Sequence, residues 1–317
     1  MSNGQVQRNQ TMIDLRRFYR PPVIGLFAFF AVLLANPVAH SLSVALKESL
    51  PKEYTSFIHL AIGAVGMLML VHGTRQNSEV RGTLLGFGAG LLVWLGWASY
   101  AFIYNQLDLQ LSPVALTPEQ NWPQGLLYIQ GSVGICIAAL LFMTLNKDTK
   151  CNAFRWLQRH LHLNLGKSAS GDGRNFCRIT FLETIMVTWF CYSASLFMAD
   201  SRFLGHQHPV TMVLVGLLAI WAFYMLWRLL KFNRVMAGIR YAIPVKAIFW
   251  IPFGEFLPDY GLYEEVWLHP TQYSLTMWAV FLFFIVLLVS TVFLPQRRLV
   301  TADDAGNAML PGSGRKS

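Results

Sequence analysis

Charge is scarce in this chain. Only 13% of its residues are Asp, Glu, Lys or Arg, whereas 54% are hydrophobic. A soluble domain carries roughly 25% charged residues, so this composition excludes an ordinary water-facing globule. Acidic residues are the scarcer kind, 16 against 25 basic ones. Cysteine is also sparse. Of Cys136, Cys151, Cys177 and Cys191, two fall in apolar runs and two in one polar loop, so no structural disulfide is expected. No CxxC pair offers a zinc signature. GxSxG, a dinucleotide fingerprint and HExxH are all missing, which removes the common motif-defined hydrolases and dehydrogenases. Gly166-Lys167-Ser168 lacks the upstream glycine and the preceding strand of a phosphate loop.

Long apolar runs are what the chain does have. Seven are clear, at 23–46, 57–73, 83–104, 125–145, 179–198, 210–230 and 274–294. An eighth, 236–257, is weaker because Pro244, Lys246, Pro252 and Gly254 interrupt it. About 20 apolar residues span the hydrocarbon of a bilayer. Backbone groups in lipid must be paired internally, and runs this long and continuous do so as helices rather than as barrel strands. The predicted fold is all-α: a polytopic bundle of eight spans arranged as four out-and-back hairpins.

Basic residues set the orientation. Twenty fall in the tail 1–22, the loops 74–82, 146–178 and 231–240, and the tail 295–317; the alternate loops hold Lys47, Lys52 and Arg202. This alternation requires the weak eighth run to cross. It predicts both termini in the cytoplasm and a location in the cell's inner (plasma) membrane. The first 22 residues are polar and no small-residue cleavage site follows, so the first run is expected to stay as an anchor. The charge of +9 is then orientation charge suited to anionic lipid, and nucleic acid is not expected as a partner. Other membrane or periplasmic subunits are.

Three features mark the organisation between the runs. Gly82, Gly86 and Gly90 share one helix face, a signal for close helix packing. Trp94, Trp97, Trp122, Trp267 and Tyr273 near the outer boundary read as an interfacial aromatic belt. Within 146–178, residues 153–165 form a short amphipathic helix for the cytoplasmic interface, followed by a flexible Gly/Ser linker. The tail 295–317 is expected to be disordered.

Candidate chemistry gathers at the outer side. His206, His208, Glu265 and His269 are the candidate metal ligands, since imidazole with carboxylate suits zinc, copper or iron. His59 and His72 share the second run, about 20 Å apart at helical rise. That separation suits two stacked haems, with His40 as axial partner beside His59 for the outer one; His40 and His59 are therefore the candidate cofactor ligands. Glu183 lies inside the fifth run, where a carboxylate is costly and often functional. Asn36-Pro37 and Pro252-Gly254-Glu255 interrupt helices at membrane depth, which is tolerable only against a cavity or buried protein. Two activities fit these features. The first is a membrane subunit of a redox or metal-handling complex, holding a metal ion, haem or quinone near its outer face. The second is a secondary transporter or channel-like carrier with its site at the broken seventh helix; a membrane scaffold or assembly factor also fits. Neither composition nor motif decides whether the chain is an enzyme.

Overall fold

The computed structural model describes residues 20–104, 109–118, 120–145, 152–164 and 175–293. Eight helices are long and apolar enough to cross a bilayer: Val23–Ser49, Tyr54–Thr74, Glu79–Phe102, Gln124–Leu145, Phe176–Ala199, Pro209–Leu229, Val235–Asp259 and Ser274–Thr291. The chain is an all-α polytopic bundle, and these helices are the first to eighth spans below. The end at which Val23 starts the first span is called proximal, and the opposite end distal. The expectations for residues 1–19, Cys151, the linker 166–173 and the tail 295–317 lie outside the described residues.

Burial divides the spans into two classes. In their most apolar stretches the second, fourth, sixth and eighth spans are each 22% buried, against 44%, 44%, 28% and 67% for the first, third, fifth and seventh. The odd spans form the inner ring and the even spans its lipid-facing rim. Each even span packs on the next odd one, the eighth closing onto the first. The seventh span has the lowest mean hydropathy of the eight, 1.2, and the greatest burial. These facts share a cause: a helix enclosed by protein need not match lipid, so it can carry Lys246, Pro244 and Glu255.

Two apolar clusters hold the ring. A proximal one joins Phe29, Val32, Phe87, Ile239, Ile243 and Phe284. A distal one joins Trp122, Ile129, Leu196, Val215, Ile251 and Phe256. Lipid tails are as apolar as these side chains, so the clusters stabilise the fold through close dispersion contact rather than escape from water. The glycine face of the third span is one such contact. A methyl group at Gly86 would fall on the carbonyl of Cys177, and one at Gly82 would sit 3.2 Å from the Cys177 amide. Glycine there lets the third and fifth backbones touch.

At the proximal end, the charges of two spans lock together. Glu79 opens the third span and takes Arg234 at 2.5 Å and Arg240 at 2.6 Å, both from the start of the seventh. Arg240 also donates to Thr83 Oγ1 at 2.6 Å and stands 4.6 Å from the Phe176 ring centroid of the fifth span. The amphipathic segment is a helix over Asn152–His160, ending short of the expected 165, with Trp156 exposed.

Among the described residues, the only strands lie at the distal end. Val114–Thr117 and Gln120–Trp122 form a small antiparallel hairpin. Gln120 fastens it to the fifth span, donating to Ala199 O at 3.1 Å and accepting from the Ser201 amide at 2.8 Å. The hairpin carries Trp122 into the distal cluster at 7% exposure. Trp122 is therefore a packing residue and not part of an interfacial belt.

Candidate functional site

Between the two apolar clusters lies a cavity of about 100 Å³. That is room for several waters, since one needs roughly 10–15 Å³ by this measure. Its lining comes from the odd spans alone. The first span supplies Asn36, Ala39, His40 and Ser43; the third supplies Leu91, Trp94, Leu95 and Ser99. From the fifth come Thr184, Thr188, Cys191, Tyr192 and Ser195, and from the seventh Lys246, Ala247, Trp250, Ile251 and Glu255. Trp94 thus faces the centre of the bundle rather than the interfacial belt.

Three of these four spans change geometry at the level of the cavity. The first breaks at Leu34 between helices Val23–Leu33 and Ala35–Ser49. Pro37 lacks an N–H and its ring crowds the carbonyl four residues earlier, which explains the break. The third passes from α-helix to π-helix at Trp94, and the seventh does so at Ile251, next to Pro252. Wide turns of this kind frequently mark functional sites, because they re-aim side chains and loosen the backbone ladder. The fifth span stays regular. Its Thr184 and Ser195 hydroxyls donate to their own helix, to Thr180 O and Tyr192 O at 2.8 Å, which leaves oxygen lone pairs for the cavity.

Charge inside the cavity comes from the seventh span. Lys246 is 6% exposed and lies near the middle of the span. Among the described residues it makes no ion pair. Glu255 stands nine positions further on and accepts from Trp250 Nε1 at 2.7 Å. Gly254 makes that bond possible, because a methyl group there would overlap the Trp250 indole. Trp250 lies parallel to His40 with 6.3 Å between ring centroids, and its ring is 5.0 Å from that of Trp267, tilted by 50°. Ser41 Oγ donates to Trp267 O at 3.1 Å, so the first span, the seventh span and the distal loop meet at these rings.

Beside the cavity's distal end is a polar clasp. Asp200 follows the fifth span and its side chain is fully buried. It accepts from Gln130 Nε2 of the fourth span at 2.8 Å, from the Arg202 amide at 2.8 Å, and from Arg202 Nη2 at 2.7 Å. Burial alone would raise the Asp200 carboxyl. The donors of Arg202 and Gln130 outweigh it and hold the group below the usual carboxylate range. In the distal loop, burial and then neighbouring Asp259 push the Glu265 carboxyl above that range.

The candidates named from sequence separate into two sets. Asn36, His40 and Glu255 come together in the cavity. The others do not line it. His59 is fully buried on the second span, its Nδ1 2.8 Å from Thr55 O and its ring 4.9 Å from that of Tyr100. Glu183 is half-buried in the fifth span. His206 Nδ1 lies 3.0 Å from Asp259 Oδ2, although not aligned as a hydrogen bond. His208 is exposed and caps the sixth span, accepting from the Val210 amide at 3.2 Å. His269 is exposed and Glu265 half-buried. Among the described residues, no group of three or more His, Cys, Asp or Glu side chains is placed to hold a metal ion. Lys246 is the functional candidate that sequence reasoning passed over. The available signal was a lone lysine in mid-span, where an ionisable group marks a site by default.

No protein-family model matches this chain, and neither does any curated protein or solved structure.

Proposed function

We propose that this chain is a membrane carrier that moves a small polar solute, binding it in the cavity enclosed by the first, third, fifth and seventh spans. The observation that carries this reading is the convergence of four spans, three of them irregular at that level, on one mainly apolar cavity whose wall carries a buried lysine and a carboxylate. Broken helices around a site near mid-membrane are how carriers expose backbone and side-chain groups to a solute. The barriers are unequal. The proximal cluster and the Glu79–Arg234–Arg240 lock separate the cavity from one face. On the other side stand the His40, Trp250 and Trp267 rings and the distal cluster. Alternating release of these two barriers is the transport step in this reading. We place the protein in the cell's inner (plasma) membrane with both termini cytoplasmic, on the basic-residue asymmetry; the distal face is then external.

The redox reading has less support, because the candidate ligands His40, His59, His206, His208, Glu265 and His269 do not gather at one centre among the described residues. Reconstitution decides between the two. Liposomes containing the purified full chain should take up at least one of a panel of labelled carboxylates, amino acids, amines and sugars faster than protein-free liposomes. Alkylation of Cys191 should block that uptake. A panel with no uptake counts against the carrier. A Soret band or stoichiometric metal in the purified protein would favour the redox subunit.

A further inference from the structure

We infer that the cavity selects a small monocarboxylate, with Lys246 as its counter-charge. The inference rests on the carrier reading for the purpose of the cavity, but its chemistry rests on Lys246. An ammonium group has three donors and no acceptor. Here it sits at 6% exposure on the cavity wall with no ion pair among the described residues. A buried charge without a partner is costly, and the cost is removed by whatever brings the opposite charge. Lysine is not needed for shape at this position. Methionine or leucine would fill the same volume without that penalty.

Glu255 does not fill the role within the chain. It is engaged by Trp250 at 2.7 Å and forms no ion pair with Lys246. Lys246 lies near the middle of the span, and Glu255 stands nine positions nearer its distal end. The cavity thus has a positive end near mid-membrane and a negative end toward the distal face. A single carboxylate fits the first and is repelled from the second. A dicarboxylate would meet Glu255 with its second charge. Leu91, Leu95 and Ile251 add apolar wall for a short tail, and Asn36 and Ser99 add donors to the lining. Plain and α-amino monocarboxylates share this chemistry.

The test uses Cys191, a natural thiol in the cavity wall. In the full-length chain carrying Cys136→Ala, Cys151→Ala and Cys177→Ala, Cys191 is the only thiol left. The initial rate of its reaction with N-ethylmaleimide in detergent is measured alone and with sodium butyrate, alanine, butyramide, n-butylamine or sodium phosphate. Butyrate, alanine or both should slow labelling by roughly tenfold, which a single charge-assisted pair can supply. Butyramide, butylamine and phosphate should not. Lys246→Gln should abolish the protection and Lys246→Arg should keep it. Protection is read within each variant as the ratio of rates with and without carboxylate, and an unchanged melting temperature in detergent shows that the fold has survived the substitution. Protection by butyrate alone assigns the plain acid, and by alanine alone the amino acid. Equal protection by butyramide, protection by butylamine or phosphate, protection surviving in Lys246→Gln, or no protection by either carboxylate would overturn the assignment. None of these outcomes bears on uptake of other solutes by liposomes, so the carrier reading fails or stands separately.

Discussion

Replacing Glu79 with Gln should open the cavity toward the proximal face. Glu79 is the shared acceptor for two arginines of the seventh span, at 2.5 and 2.6 Å. Hydrogen bonds to charged groups contribute about 1.5–3 kcal/mol each. Arg234 is 37% exposed, so its share is discounted for solvent screening, whereas Arg240 and Glu79 are 16% and 17% exposed and keep most of theirs. The neutral amide also keeps one acceptor. A net loss of about 2 kcal/mol is the result, and at 1.36 kcal/mol per decade it multiplies the proximally open population roughly 30-fold. The assay is alkylation of Cys191 by a membrane-impermeant thiol reagent applied to the proximal face, with the other cysteines replaced. The rate should rise by that factor, with no rise from the distal face. Equal acceleration from both faces would mean general loosening. No acceleration with an unaltered melting temperature would refute the idea that these arginines hold the proximal barrier.

Three further outcomes follow from the same geometry. Asp200→Ala removes the acceptor of buried Gln130 and should cost roughly 1–3 kcal/mol on that group alone, read as a lower melting temperature in detergent. The Asp200 pKa is depressed in the folded state. Its stabilisation is therefore complete above the ordinary Asp value near ~3.9 and is lost as pH falls through the lower folded value. The difference between wild type and Asp200→Ala should shrink on acidification below pH ~4 and stay constant across neutral pH; a gap that widens in acid contradicts this. Gly254→Ala should push the Trp250 indole off Glu255 and uncouple it from His40, changing the fluorescence and accelerating distal access to Cys191. An unaltered distal rate would mean that these aromatic rings are not a barrier.

Much of the architecture was legible because membrane physics leaves few options. Run length located the spans, and the alternation of basic residues argued that the interrupted run 236–257 crosses. The same interruptions were the clue to the site. Asn36-Pro37 lies at the middle of the first run and Glu255 near the distal end of the seventh, and the fold brings both to one cavity. What escaped the sequence was depth and distance. Lys246, at the middle of the interrupted run 236–257, read only as one of the residues that weaken it, and the fold places it on the wall of the central cavity. Arg234 and Arg240 read as orientation charge, because their partner Glu79 is more than 150 positions away. Trp94 and Trp122 resemble interfacial tryptophans by position, but a π-helix turns one inward and a hairpin buries the other. The outer histidines drew attention by composition. Clustering along a chain says nothing about convergence in space: His208 caps its own helix, His206 lies against Asp259, and His269 is exposed.

The central claim is that the cavity is reached in turn from both membrane faces. Sidedness of Cys191 labelling measures it without knowledge of any solute. In cells and in inverted vesicles carrying the chain with Cys191 as its only cysteine, an impermeant thiol reagent should modify this residue from each side. The distal rate should exceed the proximal one, and Glu79→Gln should raise only the latter. Labelling confined to one face, in wild type and in Glu79→Gln alike, would contradict the account and leave a one-sided binding pocket in place of a carrier.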